Sequence, residues 1–330
     1  MSTDPTPPVQ VRITAAGGPE VLVLETAMRP VPAKGDVLIR VRAAGVNRHD
    51  CGQRSRGPSR VHSDVPGLEV AGEVAAVGDG VTRYRVGDRV CALTNGGGYA
   101  TWALARAEQT LPIPAGVTDT EAAGLPEAAF TIGFNLFELG RLAAGESVLL
   151  HGGTSGVGSL AIQILAALGH PVFVTCGSAE KCAIARQLGA REAIDYHDDT
   201  MVEQVLAATA GRGVDLILDM SGGQHTRANI AMMARRARLM HLSPGGGRAI
   251  EVPLRELMAR EGFIGGSLLR PQSDTVKAGV AAWVESTVWP LVPAAVRPVV
   301  HATLPLAESA RAHALLESGE VVGKLILLTP

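Results

Sequence analysis

Val148-Leu149-Leu150-His151-Gly152-Gly153-Thr154-Ser155-Gly156-Val157-Gly158 passes from an apolar strand pattern into a glycine-rich turn. Val157, Leu160, Ala161, Ile164, Leu165 and Leu168 then recur at steps of three and four, the spacing of one helix face, and Gly169 follows as a stop. Strand, tight turn and helix make the first unit of a dinucleotide-binding fold. The start of such a helix offers unpaired N–H groups and the positive end of its dipole, where a pyrophosphate sits. The spacing is G-x-x-G-x-G. Set against the G-x-G-x-x-G fingerprint with Gly156 as the helix glycine, Ser155 stands where the middle glycine belongs. The cofactor-binding residues expected here are Gly153, Ser155, Gly156, Val157 and Gly158. The same glycines suit a plain structural turn; the strand before them and the helix after them favour the nucleotide.

Outward from this turn, strands and helices alternate. Val172–Thr175 is a second strand and Glu180–Leu188 its helix, ended by Gly189. Ala193–Tyr196 is a third strand, followed by a helix from Asp198 or Asp199 through Ala210. Val214–Asp219, a helix over Thr226–Arg236, and strands at Arg238–Leu242 and Phe263–Ser267 continue the pattern. Alternation at this spacing predicts a doubly wound parallel sheet with helices on both faces. The chain before Pro112 reads differently. Val9–Thr14, Val37–Ala44, Val70–Val77, Arg89–Leu93 and Tyr99–Leu104 are short strand candidates separated by glycine turns, a pattern of a β-barrel-like domain. Ala122–Arg141 turns helical. Beyond the sheet lie helices near Thr275–Val288 and Leu306–Glu317 and a strand Lys324–Leu328.

Of the 330 residues, 46% are hydrophobic but only 3% aromatic, so Ala, Val, Leu and Ile must fill the core. A net charge of −2 argues against nucleic acid or an anionic membrane as partner. No apolar run reaches transmembrane length and Met1–Pro8 is polar, so a cytoplasmic protein is expected. Cys51, Cys91, Cys176 and Cys182 form no C-x-x-C pair and read as reduced thiols, not a zinc lobe.

The end of the second strand decides the cofactor. NAD-binding units place Asp or Glu there to hold the ribose 2′-hydroxyl. Here the run is Thr175-Cys176-Gly177-Ser178-Ala179-Glu180-Lys181. Gly177 leaves room, Ser178 offers a hydrogen bond and Lys181 a cation for a 2′-phosphate, so NADPH is expected. Glu180 speaks against it, and Lys181 on a solvated helix face is the plainer alternative.

Further sequence features extend over nearly the whole chain: Gly17-Gly18-Pro19-Glu20, Asn47-Arg48-His49-Asp50, Gln53-Arg54, Gly67-Leu68-Glu69-Val70-Ala71-Gly72, Gly96-Gly97-Gly98, Leu125-Pro126-Glu127-Ala128, Ser155-Gly156-Val157-Gly158, Ala193-Ile194-Asp195-Tyr196, Ser267-Leu268-Leu269-Arg270 and Gly323-Lys324. On these the chain resembles the zinc-independent quinone oxidoreductases of the medium-chain dehydrogenase/reductase superfamily, in particular the tumour-suppressor-inducible branch and its bacterial relatives. The resemblance implies a GroES-like catalytic domain over residues 1–124, a Rossmann NADPH-binding domain over 125–270, and a return to the catalytic domain over 271–330. It also implies a homodimer paired through the edge strand near Phe263–Ser267.

Carried over residue by residue, the resemblance puts Asn47 beside the nicotinamide and the substrate carbonyl, as the catalytic residue; a turn residue is the alternative. It puts Thr131 against the nicotinamide ring, and Ser178, Lys181 and Tyr196 at the 2′-phosphate. Ser243, Gly245, Leu268 and Leu269 fall on loops over the nicotinamide half, and Lys324 is a late basic residue near the cofactor. Tyrosines common in the family after Asn47 are replaced by Gly52 and Pro58, and the Ser55–Asp64 loop carries Arg56, Arg60 and His62. The implied activity is NADPH-dependent hydride transfer to a small quinone or other α,β-unsaturated carbonyl compound. The alternatives are an enoyl-thioester reductase, a zinc-free alcohol dehydrogenase, or a non-enzymatic NADPH-binding protein. No metal is expected, because the zinc-ligand places hold Asn47, Leu68 and roughly Glu127, a poor tetrahedral set. Asp50 is a weak candidate for proton handling and suits a turn or cap better.

Overall fold

The computed structural model describes residues 7–59, 63–245, 247 and 249–330. Arg60 and His62 of the Ser55–Asp64 loop, and Gly246 within Gly245–Gly247, lie outside the described residues. The chain divides into two compact units. One runs as far as Phe130 and resumes at Ser273–Pro330; the other is Thr131–Gln272.

The first unit opens with β1 (Val9–Ile13) and β2 (Leu22–Thr26), an antiparallel pair. β3 (Asp36–Val46), α1 (Arg48–Arg56), β4 (Glu69–Val77), β5 (Arg89–Leu93), β6 (Trp102–Arg106), β7 (Thr110–Pro112), α2 (Asp119–Ala122) and α3 (Pro126–Ile132) follow. Val37, Ile39 and Val41 of β3 alternate into a core that also takes Val70 and Val74 of β4 and Val90 of β5. Each such side chain, fully buried, contributes roughly 1.5–3 kcal/mol.

The second unit strings together β8 (Val148–His151), α4 (Gly156–Ala167), β9 (Val172–Cys176), α5 (Ala179–Gln187), β10 (Glu192–Asp195), α6 (Met201–Ala208), β11 (Val214–Asp219), α7 (Thr226–Met232), β12 (Met233–His241), α8 (Leu254–Ala259) and β13 (Phe263–Gly266). Its strands pair in the order β10-β9-β8-β11-β12-β13, all parallel. That is the Rossmann order, with the direction of winding reversing beside β8. Every residue of β8 and β9 is buried, as strands covered on both faces require. Leu149, Phe173, Val205, Ile217, Ile230 and Leu239 form its core.

The chain then re-enters the first unit with α9 (Asp274–Trp283), β14 (Val300–Pro305), α10 (Ser309–Glu317) and β15 (Lys324–Leu328). β15 lies between β14 and β3, so the larger sheet runs β14-β15-β3-β4-β5-β7, with β6 on β3. No helix among the described residues is long and apolar enough to cross a membrane.

Several elements differ from the sequence expectation. The sequence pattern gives no sign of α1, because Arg48–Arg56 has no apolar face; it buries Asp50, Cys51, Gln53 and Arg54 instead. β12 starts at Met233, where the pattern predicts a helix through Arg236. Arg236 takes φ +63°, which ends any helix there, and the β11–β12 register slips between Val214 and Leu216. Asp195 closes β10, which leaves Tyr196 just beyond the strand and not within it. Tyr99 lies outside β6. β2, β7 and β14 have no counterpart in the sequence reading; β7 is only three residues long and β2 does not alternate between inside and outside.

Candidate functional site

In the second unit, the β8–α4 turn is folded back on β9. The Gly152 and Gly153 N–H groups both donate to the Thr175 carbonyl, at 3.1 and 2.9 Å. Ser155 is the N-cap of α4: its Oγ accepts from the Gly158 N–H at 3.0 Å. The serine in the middle-glycine place is thus committed to starting the helix. Gly156 and Val157 are its first two residues, whose N–H groups the helix cannot pair. A Cβ on Gly158 would lie 2.3 Å from the Gly152 carbonyl oxygen, so only glycine fits that close approach. The turn therefore has the bare backbone that a pyrophosphate needs.

At the end of β9, Gly177, Ser178 and Tyr196 do come together. A Cβ on Gly177 would lie 2.8 Å from the Tyr196 hydroxyl, so the tyrosine ring fills the space an acidic side chain would take. Ser178 caps α5, accepting from the Lys181 N–H at 3.3 Å. It also bonds the Glu180 carboxylate, which a backbone bond and this bond hold below its ordinary pKa. The corner thus carries a carboxylate as well as Lys181.

Sequence reasoning missed the imidazoles beside this corner. The Tyr196 ring lies 4.3 Å from His197 and 6.4 Å from His225, and His225 stacks on His151 at 5.1 Å. His151 is buried between the Thr175 hydroxyl at 2.9 Å and Asn229 Oδ1 at 2.6 Å, and Asn229 Nδ2 donates to Asp219 at 3.0 Å. Burial, foremost, pushes the imidazole below its ordinary pKa and keeps it neutral. Asn229 Oδ1 can only accept, so His151 carries its proton on Nε2. The strand pattern hides this: in sequence His151 is the last residue of a strand and no more.

Thr131 is buried, and its carbonyl accepts from Asn135 Nδ2 at 2.9 Å; Asn135 Oδ1 in turn accepts from Ser267 Oγ at 2.6 Å. Asn135 sits in a wide π-type turn over Gly133–Leu139 and ties Thr131 to the loop that carries Leu268 and Leu269. Leu268 is 65% exposed. Ser243 Oγ accepts from the Gly245 N–H at 3.1 Å, and Gly245 packs on the Ser221–Gly222 turn.

In the first unit, Asn47 and Lys324 meet around Glu69, a residue to which the sequence alone assigns no role. All three are buried. Asn47 Nδ2 donates to Glu69 Oε1 at 2.9 Å, Lys324 Nζ donates to Asn47 Oδ1 at 2.6 Å, and Lys324 also pairs with Glu69 Oε1. Glu69 Oε2 accepts from the Glu127 N–H at 3.0 Å. Gly45 makes room for the carboxylate: a Cβ there would lie 2.3 Å from Glu69 Oε1.

Asp50, expected as a turn or cap residue, caps α1 through the Asn47 N–H at 2.9 Å, accepts from Gly67 N at 3.1 Å, and is fully buried. Burial lifts its carboxyl to about 6. Tyr99 Oη lies 3.2 Å from Asp50 and 3.1 Å from His313 Nε2. Burial, with Arg54 nearby, drives His313 down to about 4, and its Nδ1 has no partner among the described residues. Among the described residues no three His, Cys, Asp or Glu side chains gather as a metal ion requires.

Two family patterns match the chain: the alcohol dehydrogenase GroES-like domain over residues 33–115 and zinc-binding dehydrogenase over 156–286. Rat quinone oxidoreductase is 34% identical over 96% of this chain and 97% of its own. A mycobacterial protein solved with NADPH superposes with TM-score 0.85 at 30% identity, covering 97% of this chain and 99% of that one. The quinone oxidoreductase of Escherichia coli, also solved with NADPH, gives TM-score 0.84 at 26% identity over 97% and 99%. With a GroES-like unit, a Rossmann unit and this full-length likeness, the chain belongs to the quinone oxidoreductase family of the medium-chain dehydrogenase/reductase oxidoreductases.

Proposed function

We propose that the protein reduces quinones or other α,β-unsaturated carbonyl compounds with NADPH and without zinc. One observation carries the reading: Asn47 holds a buried amide whose oxygen and one N–H are taken by Lys324 and Glu69, which leaves one N–H for an acceptor's oxygen. NADPH, when bound, supplies the hydride. The bare turn at Gly153–Gly158 would hold its pyrophosphate. Ser178, Lys181 and Tyr196 would hold the 2′-phosphate beside Gly177, where an acid would repel it. Thr131, Ser243, Gly245, Leu268 and Leu269 are assigned to the nicotinamide half. The Asn47 N–H strengthens its bond as negative charge grows on the acceptor oxygen, so it acts mainly in the transition state.

Zinc independence is supported by the donor set. Leu68 cannot ligate, and the Asn47 amide is already held at both ends. A homodimer is supported by β13, which ends the sheet order and exposes 63% of Phe263. The test is steady-state NADPH oxidation against quinones, enones, enoyl thioesters and simple alcohols paired with NADP⁺, with elemental analysis for zinc. Turnover of quinones or enones by zinc-free protein is expected. Faster oxidation of simple alcohols than reduction of any quinone or enone, or stoichiometric zinc after mild dialysis, would overturn the reading.

A further inference from the structure

We infer that Glu69 and Lys324 are positioning residues for Asn47: their buried ion pair fixes the direction of the Asn47 amide, and with it the proton offered to the acceptor. The inference rests on the reading that Asn47 meets the acceptor's oxygen. An asparagine side chain rotates about Cβ–Cγ, and its two ends differ only in O and NH₂. Turned around, it would offer an oxygen where a donor is needed. Here the turn is blocked chemically. Lys324 Nζ is donor-only and lies 2.6 Å from Oδ1, while Glu69 Oε1 lies 2.9 Å from Nδ2. A flipped amide would set Nδ2 against an ammonium and Oδ1 against a carboxylate, two repulsive contacts in place of two attractive ones.

The frame holding the pair is itself tied down. Glu69 opens β4, Lys324 opens β15 and Asn47 stands between β3 and α1, so three segments converge on one carboxylate. Its second oxygen takes the Glu127 N–H at the start of α3, and Gly45 leaves it space. The Asn47 main chain is held separately, by Asp50. Stability alone does not account for the arrangement, since a buried ion pair is often no more stabilising than well-packed apolar side chains of the same size. Orientation does account for it: among the described residues, every polar atom of the Asn47 side chain is spoken for except one proton.

The test compares three proteins with the parent: Asn47→Ala, the paired variant Glu69→Gln with Lys324→Met, and all three substitutions together. The paired variant removes both charges, so neither is left buried alone. In it the oxygen of the introduced glutamine takes the Glu127 N–H, its NH₂ faces Asn47, and the Asn47 amide turns around. Both Asn47→Ala and the paired variant are expected to lose about 10–100-fold in kcat measured at saturating NADPH, the scale of one oriented donor, and the combined variant should fall no further. Binding of a phenolate, whose oxygen imitates the developing charge, should weaken alongside, read by calorimetry without turnover. Full kcat in the paired variant, or losses that multiply, overturns the inference. An Asn47→Ala protein as fast as the parent instead removes the reading of Asn47 itself. Should the paired variant not fold, the parent decides. With ¹⁵N-labelled asparagine, one Nδ2 proton of Asn47 should exchange slowly and the other should shift on adding phenolate. Two rapidly averaged protons overturn the inference.

Discussion

Replacing His313 with glutamine uncovers a compensation hidden in the Asp50–Tyr99–His313 chain. Glutamine places its Nε2 donor where the imidazole Nε2 now faces Tyr99, so the contact at 3.1 Å can be kept while the titrating group is lost. In the parent, burial takes His313 from 6.5 to about 4. Between those pH values the unfolded chain binds a proton there and the native one does not. Native stability from this group therefore rises with pH across the window and is lost as pH falls through it, by about 3 kcal/mol at about 1.4 kcal/mol per tenfold. Asp50 works the other way. Its carboxyl is lifted from 3.8 to about 6, so the native state holds the proton and gains stability as pH falls from about 6 towards 4. That gain is also about 3 kcal/mol. The two slopes nearly cancel in the parent and the variant keeps only one. Urea unfolding of both proteins at half-unit steps from about pH 7 to about pH 4.5 reads the difference. The variant should gain about 2–3 kcal/mol on the parent as the pH drops. Two stability curves that stay parallel over that range would show that His313 does not titrate as its burial requires, and the reasoning would fail.

Three further outcomes follow from the cofactor corner and the turn. Lys181→Ala should weaken NADPH by roughly tenfold or more and hardly change NADH, the scale of one charge-assisted bond; equal loss for both cofactors would count against the 2′-phosphate assignment. Glu180→Gln should move NADPH affinity the opposite way, a few-fold tighter, because it removes the carboxylate that Ser178 now bonds; fluorescence titration of the reduced cofactor reads both. Gly158→Ala puts a Cβ 2.3 Å from the Gly152 carbonyl oxygen, so it should lower stability by about 1–3 kcal/mol and raise the Kd for NADPH. Unchanged thermal unfolding together with unchanged NADPH binding would falsify the close-approach argument.

The Rossmann unit was legible because its signals are local. The strand Val148–His151, the glycine turn and the α4 face are contiguous in sequence, and β11 spans the Val214–Asp219 that its pattern predicts. Local reading failed where a helix buries polar groups, as α1 does, and where a strand has no clean alternation, as in β2. It failed at β12 because pairing with β11 overrode the helical preference of Met233–Arg236. The candidate site was legible by resemblance residue by residue, but not as a network. Asn47 and Lys324 are 277 positions apart and Tyr99 and His313 are 214 apart, and no periodicity joins them. Glu69 stood in plain view just ahead of a strand pattern, and His151 at the end of one. What they do depends on partners that only the fold brings near.

The position of β15 in the sheet has a bearing on how the chain is made. It pairs with β3 on one side and β14 on the other, so the strands flanking it are separated in sequence by the whole second unit. During synthesis the segment between Thr131 and Gln272 emerges complete and can collapse on its own parallel sheet, while the Ala43–Val46 end of β3 waits with its edge open, its Asp36–Arg40 end being already covered by β6. An open edge invites pairing with another nascent chain. The vulnerable interval lasts until the final strand arrives, and that strand delivers Lys324. Slow codons or a stalled ribosome ahead of it would thus raise aggregation and inactivity together, and a release truncated before Lys324 would leave the second unit complete and the first unfinished.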